Sequence, residues 1–210
     1  MGLAAVRTRV KICGITRPAD ARSAAEAGAD AIGLVFYPPS PRYLSSERAL
    51  EIRDALPPFV QAVALFVNPD AAQVAQVLGR VRPSLLQFHG EETPEFCAQF
   101  GVPFIKACRM KQGVSGLEYL RPFSSAAAWL FDSHVPEYGG VGEAFDWSLV
   151  PDTDKPVILS GGLSRANVAA AIRRVRPWGV DVSSGVESAK GIKDAARIAA
   201  FVAEVRNADI

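Results

Sequence analysis

The chain has 210 residues, 49% of them apolar and 21% charged, with a formal net charge of +1. That length suits one large domain with a substantial core, and the near-neutral balance supplies no global field for nucleic acid or an anionic membrane. The three cysteines, Cys13, Cys97 and Cys108, are far apart and lack CxxC spacing, a usage that suits a reducing compartment and argues against a zinc site. No long apolar segment follows Arg7 and Arg9, and the most apolar run, 59–67, is interrupted by Gln61. Such a run is far below the ~18 residues of a membrane span. A soluble cytoplasmic protein is expected, with no nucleic-acid or membrane partner.

Short β-branched or apolar runs alternate with helical patterns from end to end. Strands are expected at 9–12, 31–36, 61–66, 85–88, 104–107, 128–131, 157–159 and 179–182. Between them lie helix starts: Thr16 ahead of Pro18 and Asp20, Ser45 ahead of Glu47, Asn68 before Pro69, and Thr93 before Pro94 and Glu95. Each places a capping side chain before the helix, with proline or an acid in the first turn. Shorter helical signals occupy 116–121 and 145–150, and the last two helices are expected at 164–175 and 193–205. Eight β units and eight helical units, repeating about every 26 residues, match the order of a closed (β/α)8 TIM barrel in the α/β class. An open doubly wound sheet is the rival. It usually carries five or six strands, and the single glycine of Cys13-Gly14-Ile15-Thr16 makes no dinucleotide fingerprint. With no linker or low-complexity tract, residues 1–210 read as a single domain.

In a barrel the chemistry lies where the strands end. Side chains alternate across a strand, so in the first one Val6, Thr8, Val10 and Ile12 face the helices while Lys11 and Cys13 share the opposite side. Strand four ends with Gln87 and His89 on one parity, strand six with Asp132, and strand eight with Asp181 and Ser183. Four strands thus send polar groups to one face at one end, which points to a ligand pocket. A cysteine in such a place is either a small buried apolar filler or a reactive thiol. Cys97 and Cys108 read as structural. Gln87 and His89 are either satisfied core polar groups or part of the pocket. Lys11 either activates the thiol or contacts substrate, and Asp181 either orients substrate or tunes a neighbouring acid.

The segments after strands seven and eight, Ser160-Gly161-Gly162 and Ser183-Ser184-Gly185, carry glycine where the backbone must approach a ligand closely. A phosphate held between these two loops is recurrent in this fold, through backbone N–H groups. The alternative is that the glycines only make tight turns. Gly161, Gly162, Ser183, Ser184 and Gly185 are the candidate phosphate-binding residues.

The stretches KICGIT at 11–16, SPRY at 40–43, QFHG at 87–90, SGGL at 160–163 and VDVSSGVE at 180–187 together resemble phosphoribosylanthranilate isomerase. So does Phe145-Asp146-Trp147 after the glycine-rich 139–142. Val141 and Phe88 depart from the residues usual there. The resemblance spans the first strand to the last helix. It implies an Amadori-type isomerisation of N-(5'-phosphoribosyl)anthranilate to 1-(2-carboxyphenylamino)-1-deoxyribulose 5-phosphate, in tryptophan biosynthesis, with no metal or organic cofactor. It places the base on Cys13 and the acid on Asp132, with Arg42 as clamp for the anthranilate carboxylate. Lys11, Gln87, His89 and Asp181 are the remaining substrate-binding candidates, and the partner is a small phosphosugar. A monomer or homodimer is expected. His134 is read as incidental, and the sixth loop, 133–144, is long and glycine-rich enough to serve as a lid. Two rivals remain: the related aminoaldose isomerase of histidine synthesis, expected to carry aspartate where Cys13 stands, and a non-catalytic phosphosugar-binding barrel.

Overall fold

The structure, a computed structural model, describes residues 7–110, 115–133 and 144–209. Eight parallel strands close into a barrel in sequence order. They are β1 (Arg9–Cys13), β2 (Ala31–Val35), β3 (Gln61–Phe66), β4 (Leu85–Phe88), β5 (Phe104–Met110), β6 (Ala128–Ser133), β7 (Val157–Leu159) and β8 (Gly179–Val182). A two-stranded hairpin, β9 (Glu187–Ala189) and β10 (Ile192–Lys193), follows the last barrel strand. The helices are α1 (Pro18–Ala27), α2 (Ser46–Asp54), α3 (Ala71–Val81), α4 (Pro94–Ala98), α5 (Gly116–Leu120), α6 (Val168–Val175) and α7 (Ala195–Ala208). This is the (β/α)8 barrel that the alternation predicts. Among the described residues no helix is long and apolar enough to cross a membrane.

Alternation along each strand sorts the side chains into two layers. Val10, Ile12, Phe66, Phe88, Phe131 and Val180 face outward and join the buried layer under the helices. Phe36, Phe66 and Phe88 stack in succession there, with ring centroids 5.5 and 6.1 Å apart. Ile105, Ala107, Ala128 and Leu130 form a separate inward cluster that plugs the barrel. The polar ends of the strands stand above that plug.

Helix starts follow local capping chemistry, with informative exceptions. Ser45 and Thr93 cap α2 and α4 through their hydroxyls, as expected. At α3 the cap is Asp70 rather than Asn68. Asn68 takes a left-handed φ of 48° and its Oδ1 accepts from the Glu91 N–H instead. Thr16 likewise leaves α1 to Arg17 and donates to the Gly191 carbonyl. The 145–150 signal yields only a 3-10 turn, Trp147–Leu149. Helix α6 starts four residues later than expected, because Asn167 bonds back to Gly162 and Ser164. Lys193, expected to open the last helix, belongs to β10, and Asp194 caps α7. For Thr16, Asn68 and Lys193 a partner distant in sequence outcompetes the local cap, whereas Asn167 is held by its own turn.

One buried network fixes the loop after β4, which carries His89. Lys106 is fully buried on the outward face of β5, and its Nζ donates to Glu92 Oε2 at 2.7 Å and to the Gly90 carbonyl. Glu92 in turn accepts from the N–H groups of Asn68 (2.8 Å) and Gly90 (3.0 Å). A buried carboxylate stripped of its cation costs about 3–5 kcal/mol. Lys106→Met is therefore expected to lower the urea midpoint by a corresponding amount. The double variant with Glu92→Gln recovers part of that loss, since no charge is then left unpaired.

Candidate active site at the mouth of the barrel

The floor of the site is set by strand register. β1 and β8 close the barrel with Lys11 opposite Asp181. Their side chains, 6% and 5% exposed, meet at 2.9 Å between Nζ and Oδ1. On the other side of β1, Cys13 lies opposite Gly33 of β2. A Cβ at position 33 would fall 2.6 Å from Cys13 Sγ and 3.2 Å from Lys11 Nζ. The missing side chain of Gly33 is thus what makes room for the thiol beside the ammonium.

Burial pushes the Cys13 thiol up from its ordinary value; the neighbouring Lys11 charge pulls it down, and Asp181 adds to the rise. Burial works against the Lys11 charge, but Asp181 and Cys13 together hold its pKa above that of an ordinary lysine. Lys11 is therefore a permanent cation packed against the thiol. Cys13 and Asp181 line the mouth, whereas Lys11 is not among the described residues that do. Of the two roles open to Lys11, this position favours acting on the thiol.

Across the mouth stands Asp132, the penultimate residue of β6. Its Oδ2 lies 3.0 Å from His89 Nε2, and its Oδ1 accepts from the Ser133 N–H at 2.8 Å. His89 Nδ1 lies 3.0 Å from Gln87 Nε2. β7 separates the strands of Asp132 and Asp181; Asp181 is paired with Lys11, and Asp132 meets His89.

Arg42 reaches the mouth from the loop after β2 and is 5% exposed. Its Nε and one terminal nitrogen donate to the two carboxylate oxygens of Glu187, at 2.7 and 2.8 Å. That edge of the guanidinium is occupied, so a ligand carboxylate would meet the end edge instead. Lys193 Nζ donates to Glu187 Oε1 at 2.8 Å and to the Ser183 carbonyl at 3.0 Å. Burial opposes the Glu187 charge, yet Arg42 and Lys193 keep its pKa below the usual glutamate range. Sequence reasoning missed both partners. Glu187 stood inside a quoted motif without a role, and Lys193 was absorbed into the helix signal.

The loops after β7 and β8 touch backbone to backbone. A Cβ on Gly185 would lie 2.1 Å from the Leu163 carbonyl oxygen, and one on Gly161 would lie 2.8 Å from Asp132 Oδ1. Gly161 and Gly162 adopt φ of 84° and 63°, left-handed values that suit glycine. Gly161, Gly162, Ser183 and Ser184 line the mouth, and Gly185 packs behind them. The structure thus brings the sequence candidates to one end of the barrel, with Lys11 beneath. Cys97 and Cys108 are buried elsewhere, 0% and 1% exposed. His134, Val141 and most of the expected lid lie outside the described residues. Among the described residues no group of three or more His, Cys, Asp or Glu side chains could hold a metal ion.

The fold and this mouth define a (β/α)8-barrel enzyme. The model of the N-(5'-phosphoribosyl)anthranilate isomerase family matches residues 10–204. A relative of that name from Leptothrix cholodnii is 54% identical over 210 residues, covering 100% of this chain and 96% of its own. The crystal structure of phosphoribosyl anthranilate isomerase from Thermotoga maritima superposes with a TM-score of 0.86 at 43% identity, over 95% of this chain and 99% of that one. A second solved isomerase, in complex with reduced 1-(o-carboxyphenylamino)-1-deoxyribulose 5-phosphate, gives 0.83 at 38% identity over the same shares. The chain belongs to the N-(5'-phosphoribosyl)anthranilate isomerase family.

The charges around Cys13 make a prediction independent of turnover. Lys11→Met removes the cation and moves the pH at which iodoacetamide labels Cys13 upward. Asp181→Asn removes the anion and moves it downward. Mass spectrometry of the labelled peptide reads both shifts. Cys97 and Cys108, with pKa values raised by burial to about 12 and about 11, stay unlabelled in the folded protein.

Proposed function

We propose that this chain isomerises N-(5'-phosphoribosyl)anthranilate to its 1-deoxyribulose 5-phosphate product, with Cys13 as general base and Asp132 as general acid. The reaction is that of the family to which the chain belongs, an aldose–ketose isomerisation in tryptophan biosynthesis. The observation that carries the residue assignment is the facing pair: a thiol beside a fixed ammonium on β1 and a carboxyl group on β6, both lining one mouth.

The chemistry uses them in turn. Asp132 gives its proton to the ribose ring oxygen, and the C1'–O bond breaks as the nitrogen lone pair forms the protonated Schiff base. The Cys13 thiolate then removes the C2' proton, and the electron pair moves back to nitrogen to give the enolamine. Shift of the enol proton to C1' yields the ketone. One proton must return from Cys13 to Asp132 between turnovers. The buried Lys11 stabilises the thiolate that the second step requires.

The substrate has two anionic ends, and the mouth offers a region for each. The glycine-rich loops bearing Gly161, Gly162, Ser183, Ser184 and Gly185 receive the phosphate through backbone N–H groups. The free edge of Arg42 takes the anthranilate carboxylate. Gln87, His89 and Asp181 line the space between them. The histidine-pathway rival is disfavoured by the thiol at the end of β1, and a binding-only barrel has no use for an acid facing a base.

Anthranilate and phosphoribosyl pyrophosphate, supplied with the upstream transferase, make the labile substrate in situ, and anthranilate fluorescence follows its fate. Cys13→Ala and Asp132→Asn are each expected to lose about 10²–10⁴-fold in kcat. Arg42→Lys is expected to act chiefly through KM, since lysine does not match the planar guanidinium. Full turnover by Cys13→Ala would remove the base assignment, and normal rates for Asp132→Asn would remove the acid. In the wild type, activity rises with pH as Cys13 ionises, and Lys11→Met shifts that rise to higher pH.

A further inference from the structure

The row Gln87–His89–Asp132 does more than line the mouth. Gln87 is fully buried, and its amide Nε2 meets His89 Nδ1 at 3.0 Å. With the Gln87 amide assigned in this orientation its N–H₂ donates, so Nδ1 accepts and the imidazole proton sits on Nε2. That N–H points at Asp132 Oδ2, 3.0 Å away. Oδ2 accepts from His89 and Oδ1 from the Ser133 N–H, so both oxygens are held, and the transferable proton is assigned to Oδ1, the oxygen beside Gly161 of the mouth. The absent Cβ of Gly161 would stand only 2.8 Å from it.

We propose that His89 is a positioning residue for Asp132 rather than a substrate contact, and that Gln87 fixes the imidazole tautomer it needs. The inference rests on Asp132 being the acid. In the step itself Oδ1–H is delivered to the ring oxygen as the C1'–O bond breaks, and the electron pair of that bond goes to the ring oxygen. The carboxylate left behind is met at Oδ2 by the His89 N–H and at Oδ1 by the Ser133 N–H. No proton leaves His89 in this step. The imidazole acts as a preorganised donor toward the charge that develops on Asp132.

Gln87 has a geometric signature of this duty. Its Oε1 is buried and has no hydrogen-bond partner among the described residues. A buried glutamine retained for core packing alone would be expected to satisfy its carbonyl, which costs about 1–3 kcal/mol when left unpaired. Here the amide nitrogen is spent on the imidazole at the carbonyl's expense. Backbone anchors hold the middle of the row: the His89 N–H donates to the Phe66 carbonyl at 2.9 Å, and Glu92, tied to Lys106, holds the Gly90 N–H.

The test is steady-state kinetics on the full chain across pH, in the coupled fluorescence assay. The other charged groups around the pair are Arg109, in register with Asp132 on β5, Cys13 and the Lys11–Asp181 pair across the mouth, and Glu91 and Glu92 beside His89. All are left unchanged in the variants. His89→Ala is expected to lower kcat about tenfold to a hundredfold while KM stays within about twofold. Losing the donor disfavours the Asp132 carboxylate, so the alkaline limb, where the acid loses its proton, moves to higher pH. Gln87→Glu has the opposite sign: its carboxylate accepts from Nδ1–H, favours a cationic imidazole, and moves that limb to lower pH. In an Asp132→Asn background, His89→Ala causes no further loss.

A raised KM with unchanged kcat for His89→Ala, limbs that stay in place, or an equal loss in the Asp132→Asn background would each overturn the proposal. Where His89→Ala does not fold, by circular dichroism, Gln87→Glu and the amide-bearing His89→Asn carry the same test. Full turnover by Asp132→Asn alone would instead refute the acid assignment on which the proposal rests, so the two failures are distinct.

Discussion

The buried ion pair between Lys11 and Asp181 is the contact on which the site depends. The two residues are 170 positions apart and meet at 2.9 Å because β1 and β8 seal the barrel in a register that sets them side by side. Taking two charges out of water is expensive, and the pair recovers that cost only with close geometry. It therefore holds the seam to one register: a slip along β1 would leave two buried charges apart. The same ammonium is the cation against Cys13, so closure of the barrel and the state of the thiol hang on one contact.

Two further buried networks do for the loops what this pair does for the strands. Lys106 and Glu92 hold the turn after β4, and with it the backbone beside His89. Arg42, Glu187 and Lys193 tie the loop after β2 to the loop after β8. This triad leaves one positive charge in surplus beside the mouth, in a protein whose formal net charge is only +1. Local placement supplies what global charge does not. Both networks use rigid partners in a low-dielectric interior, where an unpaired member costs far more than in water. The groups at the mouth are therefore held before any ligand arrives.

Much of this was legible in the chain itself. Period-two alternation placed Val10 and Ile12 against the helices and Lys11 and Cys13 inside, and the same parity argument put Gln87, Asp132 and Asp181 on the inner face. All eight barrel strands were anticipated, six of them within a residue at each end, because buried parallel strands are short apolar runs bounded by turn residues. Caps were less secure. Ser45 and Thr93 act locally, whereas Asn68 and Thr16 were drawn to Glu91 and Gly191, partners far along the chain. The β9–β10 hairpin was missed because five residues of strand carry too little pattern to compete with the strong helix signal that follows.

By itself, then, the sequence determined the fold class, the face on which each polar residue stands and the end of the barrel where they gather. Those properties follow from periodicities of two and 3.6 residues, which are local. Tertiary structure alone decided the pairings: Asp181 with Lys11 and not with Asp132, Asp132 with His89, and Arg42 held along one edge by Glu187. A partner is chosen by barrel register and by which strands are neighbours, and those are settled only when β1 and β8 meet. Parity can say that a side chain points inward, but charge and hydrogen-bond energies depend on distances that arise only on closure.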